Sequence, residues 1–484
     1  MKPLLPILLA ITLSGCATID PGKPSLHEIQ GAQAGLSDVS IRWPTKQWWT
    51  RYDDPQLDSL VSEALAKNPS LAAAQARLRI ANAAVQGARA VRLPQLNATY
   101  NQTRERFSEN YIYPPPYGGS WWTDADLQLN LGFDLDLWGR HRSEYAAALS
   151  QASASRADTD VARNALVSAV TQSYFNFQSA MEQQEVLGKI VEQLENVASI
   201  TRQRVKAGLD TRVEVNQADS AVSAAKVQLS QAKTNSSLLR HQLAALLGSG
   251  PDRGLRIKRV TLSHPPAGLP RNIPLNLLGR RPDIVAAKLR VEAGASDISA
   301  AKAAFYPDVN LSAFAGFVSL GLSDLLKGGS KVYGVGPAVS LPIFNGGALN
   351  AQLSGKRAER DLAIADYNQT LLTAVREVAD AMTAIHDLSQ QIADQNASYE
   401  AISSAYDIAV KRYKSGLGNF VQVLQAQNQV HKQAILRTQL RARAYNLDVQ
   451  LATALGGGYN VANAKDGQGR AKPSASAAPA QDKR

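Results

Sequence analysis

Cysteine is almost absent from this 484-residue chain: Cys16 is the only one, and methionine occurs three times. A lone thiol excludes a framework of internal disulfides, and so few methionines exclude a Met-rich copper relay. The histidines, His27, His141, His241, His264, His386 and His431, form no i,i+4 pair and have no cysteine beside them, so no metal site is expected. There is no phosphate loop, no G-x-S-x-G elbow and no triad spacing, so the chain reads as a non-enzyme without a nucleotide cofactor. Aromatic residues make up 6% of a chain that is 45% hydrophobic. Proline is missing from Arg140 to Leu247 and again from Ala348 to Leu455, where Ala, Gln and Ser dominate. That is helix chemistry with little bulk for a globular core, and it predicts helices packed side by side in thin layers. Charge of one sign never accumulates: the net +11 is spread among interleaved acids. Such residues are solvated helix faces, and no nucleic-acid partner is expected.

What the chain does contain is one unit written twice. Arg204 to Ser220 (RVKAGLDTRVEVNQADS) matches Arg412 to Asn428 (RYKSGLGNFVQVLQAQN), and Pro69 to Pro94 aligns with Pro282 to Pro307 without a gap. Internal symmetry of this length requires both copies to be read as the same structure. Gly208 and Gly416 interrupt otherwise continuous helical patterns, where a helix can end in the left-handed conformation and a second one begin. Both are predicted to be tight turns at the tips of long helical hairpins. The first arm, from Arg140, is about 70 residues, on the order of 100 Å at 1.5 Å per residue. Narrow coiled-coil seams with wetted faces suit its pattern of Ala, Leu and Val.

Between the proline-bounded helix and the long arm the period changes to two. Leu127, Leu129, Leu131, Phe133, Leu135 and Leu137 fall on one face, with Gln128, Asn130, Gly132, Asp134 and Asp136 on the other. A half-buried strand of a soluble sheet reads this way, and so does a tilted strand of about 11 residues that crosses a bilayer. The second copy repeats the hairpin, with Val309 to Phe317 and Tyr333 to Ile343 alternating, and Gly334, Gly336, Ala338 and Ser340 on the face that would leave a lumen open. Four amphipathic strands cannot close a membrane barrel, whose edges must be paired. Two chains would supply about 8 strands and three about 12, and an aqueous channel favours three. The Tyr-, Pro- and Gly-rich stretch from Glu109 to Trp122 is predicted to be an outer loop carrying Trp121 and Trp122 at the headgroup level.

These patterns divide the chain into a secretory signal (1–15), an N-terminal segment (16–53), a first repeat (54–249), a Pro-rich linker (250–278), a second repeat (279–457) and a low-complexity tail (458–484). Trp43, Trp48, Trp49 and Tyr52 of the N-terminal segment either pack on the main body or form a partner surface. Leu13-Ser14-Gly15-Cys16 resembles a lipobox, which implies a covalent lipid on Cys16; the alternative is a plain signal with an incidental cysteine.

The lipobox, the WWTRYDDPQLDSLVSEALAKNPSL opening, the paired hairpins, LPIFNGGALN after the fourth strand and the RYKSGLGNFVQVLQAQ tip together resemble a TolC-like outer-membrane efflux factor, closest to the lipoprotein (NodT) branch serving resistance-nodulation-division pumps. The resemblance covers nearly the whole mature chain. It implies a mainly α fold with a membrane β-barrel, in which a homotrimer builds a 12-stranded barrel continuous with a periplasmic α-barrel. It also implies passive conduction of small molecules, such as drugs, through a gated channel, with a periplasmic adaptor, an inner-membrane pump and outer-membrane lipid as partners and no cofactor beyond the lipid. Carried over by position, the gate falls on Gln422 and Gln425, the latter commonly Asp in relatives, with Glu214 the first-copy counterpart of Gln422. Arg412 and Tyr413 are candidates for the hydrogen bonds that keep the tip closed, Arg412 alternatively capping its own helix, and Gly208 and Gly416 are turn formers and adaptor-docking points. A periplasmic adaptor would carry one hairpin rather than two copies, whereas a protein-secretion channel would share the fold.

Overall fold

The computed structural model describes residues 26–35, 43–262 and 277–460. Cys16, the signal segment, part of the linker and nearly all of the tail lie outside the described residues. The two copies have matching elements. In the first, α1 (Pro55–Lys67) and α2 (Pro69–Ala90) lead to β1 (Gln95–Arg106) and β2 (Trp121–Asp134), then to α3 (Arg140–Lys206) and α4 (Arg212–Leu246). In the second, a short α5 (Leu277–Arg280) precedes α6 (Pro282–Ala303), β3 (Asp308–Ser319), β4 (Lys331–Ser340), α7 (Ala348–Lys414) and α8 (Phe420–Ala454). The long arms α3 and α7 are both 67 residues and the returns α4 and α8 both 35. At 1.5 Å per residue these are about 100 Å and about 50 Å.

Local chemistry explains where the elements start and stop. Pro55 opens α1 because its missing N–H is one the helix cannot use, and the Asp54 carboxylate accepts from the Gln56 and Leu57 amides. Thr211 and Asn419 cap α4 and α8 through their side chains. At the tips Gly208 (φ 72°) and Gly416 (φ 77°) take the left-handed conformation, and the Leu209 and Leu417 amides donate back to the Arg204 and Arg412 carbonyls.

The helical and strand segments form two compact units, each drawing on both repeats. One comprises Ala76–Arg156 and Ala286–Asn368 and contains the sheet. Its strands run antiparallel in the order β1-β2-β3-β4, so the middle pair joins one copy to the other. The register aligns Leu96, Leu131, Ala313 and Val335 across the sheet, and Ala98, Leu129, Ala315 and Tyr333 in the next row. One face is therefore apolar from edge to edge; Asn97, Asn130, Phe314 and Gly334 form a row of the opposite face. Among the described residues the outer edges of β1 and β4 have no strand beside them. Two expectations are corrected here. Trp121 and Trp122 open β2, paired with Arg106 and Glu105, because the loop is shorter than its composition suggested. The space over Gly334 is filled by the Phe314 ring, which a Cβ there would meet at 2.7 Å; Gly336 alone of the two glycines faces open space.

Where β2 hands over to α3, Asp136 accepts from the His141 and Arg142 amides. The His141 ring has Asp134 at 2.7 Å on one nitrogen and Glu144 at 3.0 Å on the other. Burial works against the charged ring, but the bonds to Glu144 and Asp134 outweigh it and raise the imidazole above its ordinary value.

The other unit holds the largest apolar cluster. Trp48, Trp49 and Tyr52 are buried there against Phe175, Tyr174 and Tyr445, with Leu57, Leu60 and Val61 of α1 beneath them. The N-terminal tryptophans thus pack on the body of the chain. Tyr52 donates to Asp448, which also pairs with Arg51, and Tyr174 donates to Asp54 at 2.6 Å. Burial followed by the Asp448 charge pushes the Tyr52 hydroxyl well above its ordinary range, so it stays a donor.

His431 on α8 is the opposite case. Its Nε2 is buried without a partner, and burial pulls the imidazole down to about 4. A depressed base binds fewer protons folded than unfolded, so the stability it confers is complete above the ordinary histidine value and lost as pH falls from there toward 4. The wild type should therefore melt lower at pH 5 than at pH 7, with His431→Leu flattening that acid limb. Parallel limbs in thermal melts of the two proteins would refute the assignment.

Candidate functional site

The tips bring together residues that are about 200 positions apart. Arg204, in the last turn of α3, lies with its Nε 2.8 Å from Asp210 Oδ2 and its Nη2 3.3 Å from Oδ1. Its Nη1 donates to the Tyr413 carbonyl at 2.9 Å, and its guanidinium sits 4.5 Å from the centroid of the Tyr413 ring. The Tyr413 hydroxyl donates to Asp210 and reaches Thr201 Oγ1 at 3.2 Å. Tyr413 is 1% exposed, in a cluster with Val197, Ala198, Phe420 and Val423. The second hairpin is thus fastened to the first by Arg204 on the Tyr413 carbonyl and by the Tyr413 phenol on Asp210, which Arg204 also pairs.

Electrostatics reinforce the geometry. Burial works against the Asp210 charge, but the hydrogen bonds from Arg204 and Tyr413 outweigh it and hold the carboxyl below its ordinary range. Burial, then Asp210, pushes Tyr413 up to about 12. The trio is therefore charged, paired and protonated in one pattern across the neutral range.

The sequence-derived candidates divide into two groups. Arg412, Gln422 and Gln425 line a shallow groove with Ile402, Ala405 and Ile408, and all three are exposed. Arg412 donates to Leu417 O at 3.3 Å, which caps its own turn; it makes no bond to the first hairpin among the contacts of the described residues. Tyr413 points the other way, into the cluster. Glu214 completes a capping box: its carboxylate accepts from the Thr211 amide at 2.9 Å and from the Thr211 hydroxyl. Those bonds from Thr211 hold its carboxyl below the ordinary glutamate range. Gly208 and Gly416 are exposed at the turns.

Asp210 is the acid that sequence reasoning passed over. Its counterpart in the second copy is Gly418, where a Cβ would come within 3.3 Å of Arg412 Cβ and the Tyr413 nitrogen. Only the first copy carries a carboxylate at that place, the second being tightly packed there, so the break in the repeat was the available signal. Among the described residues no cluster of His, Cys, Asp or Glu could hold a metal ion, and no helix is long and apolar enough to cross a membrane.

Comparison with known proteins adds a second line. The model of the outer membrane efflux protein family matches residues 60–249 and 273–457. The chain is 33% identical over 472 residues to the multidrug resistance outer membrane protein MdtP of Escherichia coli O6:H1, covering 95% of this chain and 97% of that one. It is 36% identical over 362 residues to the fusaric acid resistance protein FusA of Burkholderia cepacia, covering 73% and 68%. Among solved structures, the outer membrane protein VceC of Vibrio cholerae superposes with a TM-score of 0.82 at 34% identity, over 86% of this chain and 100% of that one. The open state of the MtrE outer membrane channel of Neisseria gonorrhoeae gives 0.73 at 27% identity, over 91% and 98%.

Proposed function

This chain belongs to the outer membrane efflux protein family and is the outer-membrane channel subunit of an efflux system, and from that premise we propose how its residues build and close the channel. The observation that carries the proposal is a sheet of four strands with one apolar face and, among the described residues, two unpaired edges. In hydrocarbon each unpaired N–H or C=O costs several kcal/mol, so β1 of one chain pairs with β4 of the next. Three chains close about 12 strands, enough for an aqueous passage. Leu96, Leu129 and Leu131 face lipid, and Asn97, Gln128 and Asn130 face the lumen. A lipid on Cys16 adds a second attachment to the same membrane.

In this reading the hairpin tips form the periplasmic gate. The Arg204–Asp210–Tyr413 contact holds the second hairpin against the first, and outward movement of the second breaks it. Gln422 and Gln425 present amides to the constriction, so the pore carries no acidic ring at those positions. The Gly208 and Gly416 turns receive a periplasmic adaptor, through which an inner-membrane resistance-nodulation-division pump supplies the energy. The cargo is small toxic compounds, a reading supported by relatives whose names record multidrug and fusaric acid resistance.

The test is single-channel conductance in a planar bilayer together with the mass of the same purified sample. A trimer with small conductance, whose preference for cations rises in Gln425→Asp, is expected. A monomer without conductance would remove the barrel, and a conducting trimer indifferent to the substitution would move the gate elsewhere.

A further inference from the structure

Away from the tips, three basic residues line a cavity of about 310 Å3 in the helical unit. Lys46 comes from the N-terminal segment, Arg163 from α3 and Arg280 from the end of α5. Each arginine lies on a tryptophan: Arg163 is 5.7 Å from the Trp49 ring centroid and Arg280 is 5.3 Å from that of Trp43. A ring face holds a guanidinium in place without consuming its N–H donors. Arg163 uses one donor, to the Lys46 carbonyl at 3.3 Å. The neighbouring Arg281 shows what an arginine used for structure looks like here. It is bound to Asp283, Glu377 and the Ala454 carbonyl. Arg163 and Arg280 have no such carboxylate partners among the described residues, and Asp160 is the single acid lining the cavity.

The glycine turn beside the cavity is held fast. Gly456, Gly457 and Gly458 all have positive φ, at 94°, 57° and 80°. A Cβ on each would meet, in turn, the Arg280 carbonyl at 1.9 Å, the Asn164 side chain at 2.8 Å and the Thr45 carbonyl at 2.1 Å. Asn164 also donates to the Gly456 carbonyl at 2.9 Å. Three elements therefore pin this turn, and the cavity beside it keeps its shape.

We propose that this cavity binds a single oxyanion, a phosphate or carboxylate group, between Arg163 and Arg280, with Lys46 adding charge at its mouth. Basic residues from three elements line the cavity beside one acid, and an anion with several acceptor oxygens satisfies the idle donors of both guanidinium groups. Burial pulls Arg163 below its ordinary value, and the Asp160 charge opposes that fall without cancelling it. Nothing in the channel reading requires this site, and its failure would leave that reading untouched.

The source is a free solute or the phosphate of a lipid headgroup, and the same protein separates them. Full-length protein in a neutral detergent is titrated with inorganic phosphate by equilibrium dialysis, as wild type, Arg163→Gln, Arg280→Gln and the exposed Lys46→Gln. Saturable binding of one phosphate per chain is expected, weakened at least about tenfold by either arginine change and less by the lysine change. Added salt should weaken it further. Trimer mass and melting temperature check that each variant is folded; should both arginine variants unfold, Lys46→Gln still decides. Vesicles of phosphatidylglycerol that compete with phosphate, where phosphatidylcholine vesicles do not, would assign the site to an anionic headgroup, and indifference to both would assign it to a free anion. Absence of phosphate binding in the wild type, or equal binding in all variants, overturns the proposal.

Discussion

Asp210→Asn is expected to raise the open probability of the channel at least about tenfold per chain affected, because the substitution removes the charge that Arg204 and Tyr413 both address. Hydrogen bonds to charged groups contribute about 1.5–3 kcal/mol each, and about 1.4 kcal/mol is a factor of ten in an equilibrium. The neutral amide still accepts one bond, so the loss is partial in each chain, but every chain of the assembly carries it. Tyr413→Phe removes the hydroxyl but leaves the Asp210 charge paired with Arg204, and should open the channel less. Arg412→Ala should leave conductance near that of the wild type, since Arg412 caps its own turn. Planar-bilayer recordings rank the three. An Arg412→Ala channel that opens while Asp210→Asn stays shut would place the fastening elsewhere. The linkage sign follows from the depressed carboxyl: the contact is at full strength above the ordinary aspartate value and fails only as pH falls through the lowered one, so mild acid does not open this gate.

The largest stability effect is expected at Gly456. An alanine there places Cβ 1.9 Å from the Arg280 carbonyl on a backbone with φ 94°. The left-handed conformation alone costs about 1–2 kcal/mol for an L-residue, and an overlap with backbone atoms adds about 1–3 kcal/mol. Gly456→Ala should therefore lose about 2–5 kcal/mol, read as a lower denaturation midpoint or as failure to accumulate trimer. Gly188→Ala is the control. Gly188 lies inside α3 with nothing near its Cβ position, and alanine there should stabilise by about 0.5–1 kcal/mol. Equal midpoints for Gly456→Ala and wild type would contradict the packing of this turn.

Much of the fold was legible because it is local. The proline-free arms, the glycine turns and the alternation of β2 each depend on residues within a few positions of one another, and periodicity reports such patterns directly. The destination of the N-terminal aromatics was not legible: Tyr52 bonds to Asp448, 396 positions away, and no pattern in either segment names the other. The tip shows both outcomes side by side. Tyr413 came with the family resemblance, its match in the first copy being Val205, whereas Asp210 was missed because its counterpart is a glycine. Glu214 was read for its charge, but Thr211 three residues before it had already claimed that charge for a capping box. The cavity lined by Lys46, Arg163 and Arg280 draws on three distant stretches and left no trace in the sequence.

The matched arms restrict how such a chain can change. Each copy runs 67 residues to its turn and 35 back, and the two turns are fastened to each other by Arg204 and Tyr413. Removing one residue from α3 alone would shift its tip by about 1.5 Å and rotate everything beyond the deletion by about 100°, turning Arg204 away from its partners. Compensation would require the same deletion in α7 at an equivalent height. Length in this protein is thus inherited as a pair, and surviving insertions or deletions in the arms should come in twos, in whole turns of the seam.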